Sequence, residues 1–299
     1  MAARKSLGGA GLPPLADLFS TSEERALEAQ TQERVMMLPV SELHDFPGHP
    51  FQVRDDEEME KLAESITQHG VLMPGLVRPR AAGGYEIVAG HRRKFASMKA
   101  GIREMPVIVR EMDDDTAVIL MVDSNVQREN VLPSEKARAY KMKLDAIKRK
   151  AGRPSKENSA GIRQNLFSIQ KIADDAGEGK TKIQQYIKIN DLIPELLEMV
   201  DGNEIKFNPA YELAFLRPEE QAVLYDILQA EEVTPSLSQA QRLKRASQVG
   251  RLSEQDIAAI MREEKAQTRD TGKVTLPAKE IEQFFPKSYT PEQKKKVIV

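Results

Sequence analysis

The stretch SIQKIADDAGEGKTKIQQYIKIN, residues 168–190, decides how the second half of the chain folds. Ile172, Ala173 and Ala176 recur at helical spacing, the pattern stops at Gly177, and it resumes with Ile183, Tyr186 and Ile187. A helix-turn-helix needs a small residue where the second helix crosses the first, a glycine at the turn, and apolar residues locking the second helix. Ala173 lies four residues before Gly177 and Ile183 six after it. That spacing leaves Lys180, Thr181, Lys182, Gln184, Gln185 and Lys188 on or near the outward face. Lysines there contact phosphates, and glutamine can read adenine through a bidentate pair in the major groove. A plain helical hairpin with a glycine connection has the same apolar pattern, so the surroundings must decide between the two.

The surroundings are basic. Between Lys136 and Lys188 fourteen Lys and Arg stand against five Asp and Glu, a surplus of nine; with −2 for the 299-residue chain, everything else sums to −11. A positive middle between acidic ends is the layout of a localised polyanion-binding surface. Pro133 at the first helical position opens the basic helix SEKARAYKMKLDAIKRK, which brings Lys148 and Arg149 toward the same surface. AGRPSKENSAGIRQN then reads as a polar loop, a linker or an arm for a narrow minor groove. Downstream, only helical periods appear, near 194–200, 208–216, 218–231, 236–247 and 253–267, with a last short one in TPEQKKKVIV.

Upstream, the period changes. VMMLPVSEL from Val35 reads as a strand, followed by a turn through Pro47, Gly48 and Pro50. Asp55 is expected to cap a helix whose Met59, Leu62, Ala63 and Ile66 share a face and which Gly70 ends. GLVRPR and GYEIVAG flank Gly83-Gly84 as a hairpin; a helix His91–Ala100, the strand MPVIVREM and an acid-capped helix DDDTAVILMVDSN follow. The expected fold is α+β: a flexible tail over 1–34 with a short helix near Ser22–Gln30, a small α/β unit over 35–132, a helical DNA-binding unit over 133–250 with the helix-turn-helix at 168–190, and a helical region over 251–299 that reads as either dimerising or truncated.

Several classes drop out. No cysteine means no disulfide framework and no thiolate metal site. His44, His49, His69 and His91 show no HxxxH or HExxH spacing, which argues against a zinc enzyme. No run reaches the ~20 apolar residues of a membrane span, and the N-terminus has no signal-like apolar stretch.

Three segments of the α/β unit carry candidate chemistry: Gln52–Arg54, Ala89–Gly101 (AGHRRKFASMKAG) and Asp123–Ala137 (DSNVQRENVLPSEKA). In the second, a strand ends at Gly90 and a helix begins with Arg92 and Arg93. Backbone N–H groups, a positive helix end and two guanidiniums then meet at one spot, an anion site. In the third, Asn125, Arg128 and Glu129 sit just before the Pro133 helix.

Taken in order with the Ser65–Pro79 stretch and the helix-turn-helix followed by Leu192-Ile193-Pro194, these segments resemble the ParB family of partition proteins over about Leu38 to Leu216. The resemblance implies a dimeric, cytoplasmic, nucleoid-associated CTP-dependent clamp, with no membrane role, that loads at an inverted-repeat, centromere-like duplex and slides. It implies nucleotide contacts from Arg54, Gly90, His91, Arg92, Arg93, Asn125 and Arg128, and Mg²⁺ near Asn125. LGGAGLPPL (Leu7–Leu15) resembles the family leader that touches a ParA-type ATPase. Three positions depart from the family pattern: His91 replaces a Glu, Phe95 an Arg, and Ser124 the Glu tied to magnesium and hydrolysis. CTP hydrolysis is therefore doubtful unless the adjacent Asp123 supplies the missing carboxylate, and no catalytic residue is assigned. The alternatives are an enzyme on the same scaffold, a nuclease or a small-molecule kinase, and a nucleoid-occlusion or transcription-regulating relative.

Overall fold

The computed structural model describes residues 34–128, 130–150 and 158–262. The leader at 7–15, the helix near 22–30, Glu129, the loop at 151–157 and the TPEQKKKVIV helix lie outside the described residues.

The fold is α+β. Five strands, β1 (Val35–Pro39), β2 (Leu43–His44), β3 (Gly75–Pro79), β4 (Tyr85–Ala89) and β5 (Glu104–Val109), form one mixed sheet in the order β1-β5-β3-β4-β2. β3 and β4 are the expected antiparallel hairpin, and both turn glycines have positive φ (88° at Gly83, 72° at Gly84), backbone that side chains rarely adopt. β3 runs parallel to β5 because β4 has already returned the chain to the end where β3 starts, and α2 (His91–Lys99) connects β4 to β5 at that end, while β1 closes the far edge antiparallel to β5. Alternation puts Val77, Ile87, Met105 and Val107 on a buried face with Leu38, Val40 and Leu43.

α1 (Glu57–His69) lays Met59, Ala63 and Ile66 against Ala96 of α2. Its cap corrects the expectation: Asp56, not Asp55, accepts from the Met59 backbone N–H at 2.9 Å, while Asp55 pairs with Lys99 at 2.5 Å. Either aspartate suits the role chemically, and only the path of the chain selects one. Asp113 caps α3 (Asp114–Val126) as read, accepting from the Thr116 N–H at 2.6 Å.

Helices alone follow: α4 (Pro133–Lys150), α5 (Asn158–Ala176), α6 (Lys180–Ile189), α7 (Pro194–Asp201), α8 (Phe207–Leu213), α9 (Pro218–Glu231), α10 (Leu237–Val249) and α11 (Glu254–Arg262). α5 begins at Asn158, inside the stretch read as a polar loop. Once residues 168–176 are packed as helix, upstream turns add without a new nucleus, so polar Asn, Arg and Gln can continue it. Leu196, Ile205, Leu213, Leu224 and Leu243 form the core of the distal helices, and Leu252, Ile257 and Met261 join it, so α11 packs as part of the same body. Glu220 pins this body, accepting from Ser247 Oγ at 2.6 Å and from the Leu252 N–H at 3.0 Å.

A further apolar cluster joins the two halves. Phe46, Phe51 and Val88 from the sheet side pack with Val118, Met121 and Val122 of α3, Tyr140 and Leu144 of α4, and Ile172, Ala173 and Ile183 of the helix-turn-helix. Ile172 and Ile183 are fully buried there, each contributing roughly 1.5–3 kcal/mol. In this cluster α4 packs against α3 and against both helices of the helix-turn-helix.

Candidate nucleotide cleft and DNA-facing helix

The chain approaches the cleft along β4 and turns at Gly90 with φ 113° and ψ 17° before entering α2. A Cβ at Gly90 would lie 3.2 Å from the Gly75 Cα, so conformation and space both require glycine. No side chain caps α2 and its first turn carries no acid, so its first N–H groups and positive end are left for an anion.

Around this helix start the three candidate segments meet. A cavity of about 320 Å³ is lined by Gln52 and Val53, by Gly90, His91, Arg92 and Arg93, and by Ser124, Asn125 and Arg128. Residues from three distant stretches of sequence thus share one wall. Arg54 does not line it: its side chain is exposed. Among the described residues, the hydrogen-bond partner of Arg92 is Glu58, 3.3 Å away. Burial, and then the Arg92 guanidinium beside it, push Arg128 below the ordinary arginine range. Two cations that repel each other in a partly desolvated site are arranged for an anion between them. Arg93 is different: its Nη1 donates to the Met73 and Pro74 carbonyls, both at 2.6 Å, and burial lowers its pKa. It ties α2 to the segment entering β3.

On the third wall, Ser124 Oγ donates to the Met121 carbonyl at 2.9 Å and Asn125 Nδ2 donates to the same carbonyl at 2.8 Å. The position of Asp123 corrects the expectation that it supplies the missing carboxylate. Its Oδ1 lies 2.5 Å from Lys143 Nζ and it is not part of the cleft lining. The helical period turns successive side chains by about 100°, so Asp123 faces α4 where Ser124 and Asn125 face the cleft. Among the described residues the cleft lining contains no carboxylate, and no cluster of three metal-ligating side chains exists.

Sequence reading missed Glu135. Buried at the start of α4, it accepts from the Gln52 backbone N–H at 2.8 Å and the Leu132 N–H at 3.1 Å, holding one cleft wall to α4. Its only sequence signal was an acid in a first helical turn, common to many helices.

The helix-turn-helix is α5, a turn at Gly177 with φ 66°, and α6. Asn190 fixes its end, donating to the Ala137 carbonyl at 2.8 Å, and Glu178 in the turn meets Tyr140 Oη at 3.2 Å and Lys136 Nζ at 3.3 Å. Of the predicted face, Thr181 and Gln184 are exposed and Lys180 and Gln185 half-buried, and none of the four makes a side-chain hydrogen bond or ion pair among the described residues. Lys182 instead lies 3.4 Å from the Phe207 ring centroid and 5.1 Å from that of Tyr186, and burial lowers its pKa. Lys188 pairs with Asp191 at 2.8 Å and sits over Phe215. On α4, Arg149 pairs with Asp115 at 2.6 Å and Lys150 with Asp113 at 3.5 Å, so part of that positive charge is answered by the acidic start of α3. Lys148 makes no ion pair among the described residues.

Known proteins share this plan. Residues 24–126 match the family model for the ParB N-terminal domain. The chain is 32% identical over 223 residues to the chromosome-partitioning protein Spo0J of Thermus thermophilus, covering 74% of this chain and 75% of that one. It is 30% identical over 212 residues to a nucleoid occlusion protein of a Geobacillus species, covering 70% and 69%. A crystal structure of C-terminally truncated ParB from Caulobacter crescentus complexed to the centromeric parS site is 25% identical with a TM-score of 0.44, covering 71% of this chain and 99% of that one. With nearly a third of its residues shared across three quarters of a Spo0J, and a matching N-terminal domain, the chain belongs to the ParB family of chromosome-partitioning proteins.

Proposed function

We propose that this chain is a DNA-binding partition protein whose N-terminal cleft takes CTP and whose helix-turn-helix reads an inverted-repeat, centromere-like duplex as a homodimer. The observation that carries the cleft assignment is the uncapped start of α2 at Gly90, with Arg92 and Arg128 beside it. A triphosphate supplies the anion these groups lack, displacing Glu58 from Arg92. In this reading residues 35–132 carry the nucleotide unit and 133–250 the DNA unit, and the leader at 7–15 meets a ParA-type ATPase.

The residues fit a nucleotide better than they fit magnesium. With Ser124 and Asn125 bonded to their own helix, and no carboxylate among the described residues of the lining, those residues offer a divalent ion no charged ligand. We therefore assign the cleft to nucleotide binding, with hydrolysis slow or absent. Binding closes a clamp, and opening follows nucleotide release.

Among the DNA contacts, we assign base reading to Lys180, Gln184 and Gln185, which have no other partner among the described residues, and phosphate contacts to Thr181 and Lys148. A nucleoid-occlusion role is the second reading, favoured by the similarity to the Geobacillus protein. Calorimetry of CTP with the full chain, with and without bound DNA, tests the cleft; no binding under either condition overturns it. Immunoprecipitation of bound DNA separates the two roles. A few clustered palindromes with flanking spread mean partition, and sites scattered around the chromosome mean occlusion.

A further inference from the structure

Lys143 is among the most buried side chains of the molecule, 1% exposed, and it lies on α4 between two other helices. Its ammonium sits 2.5 Å from Asp123 Oδ1 at the end of α3 and 2.7 Å from Asp175 Oδ2 at the end of α5. The two carboxylates are 41% and 37% exposed, so the lysine is the sealed member of the trio and the aspartates are its route to water. The three helices it joins share an apolar cluster that includes Val122, Tyr140, Leu144 and Ile172, and a lone ammonium buried among such helices is costly.

What the trio joins is specific. Asp123 immediately precedes Ser124 and Asn125 in the cleft wall. Asp175 lies two residues before Gly177, the turn of the helix-turn-helix. We infer that Lys143 is a positioning residue that couples the cleft wall Ser124–Arg128 to the first helix of the helix-turn-helix, by holding one carboxylate from each. A buried ammonium cannot release either partner without raising the demand on the other, so movement at one end is felt at the other. Glu135 gives α4 a second hold on the cleft, through the Gln52 N–H, at the opposite end of the same helix. α4 thus grips the cleft at two points and the helix-turn-helix at Asp175, Glu178 and Asn190. That a nucleotide is what moves the wall rests on the function proposed above; the coupling itself does not.

Hydrogen exchange on the full chain, read by mass spectrometry, tests both layers. Without nucleotide, Asp175→Asn should raise exchange across Ser124–Arg128 by about three- to tenfold, although the change lies in the other half of the molecule. Asp191→Asn, which breaks the exposed Lys188 pair, should leave that segment unchanged. With CTP, exchange in 168–177 should respond in the wild type and lose that response in Lys143→Met, while calorimetry shows that the variant still binds CTP. Unchanged exchange at Ser124–Arg128 in Asp175→Asn overturns the coupling, and so does an undiminished CTP response in Lys143→Met. If CTP fails to bind the wild type, the proposed function falls, and the nucleotide-free comparison still decides the role of Lys143.

Discussion

The imidazole of His91 lies against that of His49 with ring centroids 3.9 Å apart, and the Nε2 atom of each is buried without a hydrogen-bond partner. His49 Nδ1 meets the Phe51 carbonyl at 2.6 Å, which assigns the proton to Nδ1 and leaves Nε2 as a lone pair. Burial first, and the neighbouring His49 second, push His91 down to about 3. The pair is neutral at physiological pH and forms the wall shared by the 320 Å³ cleft and an adjoining cavity of about 390 Å³.

Because the folded pKa of His91 lies below the unfolded value of 6.5, the unfolded chain takes up the proton first as pH falls. Stability is complete above that value and declines between about 6.5 and 3, by roughly 2 kcal/mol from pH 7 to pH 5 for this one residue. His91→Gln should remove that part of the acid sensitivity. Urea denaturation at pH 7 and pH 5 measures it, and an unaltered pH slope in the variant would assign the effect elsewhere.

Among the described residues Arg92 pairs with the exposed carboxylate of Glu58, so its loss should spare the fold and weaken the ligand. Arg92→Ala is expected to lower CTP affinity by about 1.5–3 kcal/mol, roughly ten- to a hundredfold, with a melting temperature near wild type. Arg93→Ala should instead destabilise the chain without ligand, since its guanidinium binds the Met73 and Pro74 carbonyls. Calorimetry and thermal unfolding of the two variants separate the roles.

Gln184 is exposed on α6 and Lys182 is held over Phe207. Gln184→Ala should cost on the order of 1–3 kcal/mol on the cognate duplex and little on random DNA. Lys182→Ala should mainly lower stability, through the lost ring contacts. Fluorescence anisotropy on both duplexes is the measurement; equal losses for Gln184→Ala on the two would remove it from base reading.

Ser124→Glu places a carboxylate in a wall that has none among its described residues, and phosphate-release assays with cognate DNA should show turnover rising above a slow wild type. Asp123→Ala should act differently. It leaves Lys143 with one partner and costs on the order of 1–2 kcal/mol of stability, since the aspartate is partly solvated. Brisk wild-type turnover abolished by Asp123→Ala would return that carboxylate to the cleft.

Much of the architecture was legible without coordinates, because its signals are local. Gly70, Gly90 and Gly177 stop or turn the chain where side chains would be strained, Asp113 and Pro133 start helices, and the apolar period separates strands from helices. The convergence of the Gln52–Arg54, Ala89–Gly101 and Asp123–Ala137 segments followed from no pattern in the residues themselves; it was expected through resemblance, with Arg54 where the cleft instead has Gln52. The sequence by itself determined most of the elements, a helix that starts at Gly90 with two arginines and no acid in its first turn, and a basic helix-turn-helix. Only the tertiary structure decided that Asp56 rather than Asp55 caps α1, that Lys182 and Lys188 turn back onto Phe207 and Phe215, and that Asp123 serves Lys143. Periodicity and capping depend on residues within a turn of each other, whereas the partner of a charged side chain is set by which helices the apolar core has already brought beside it.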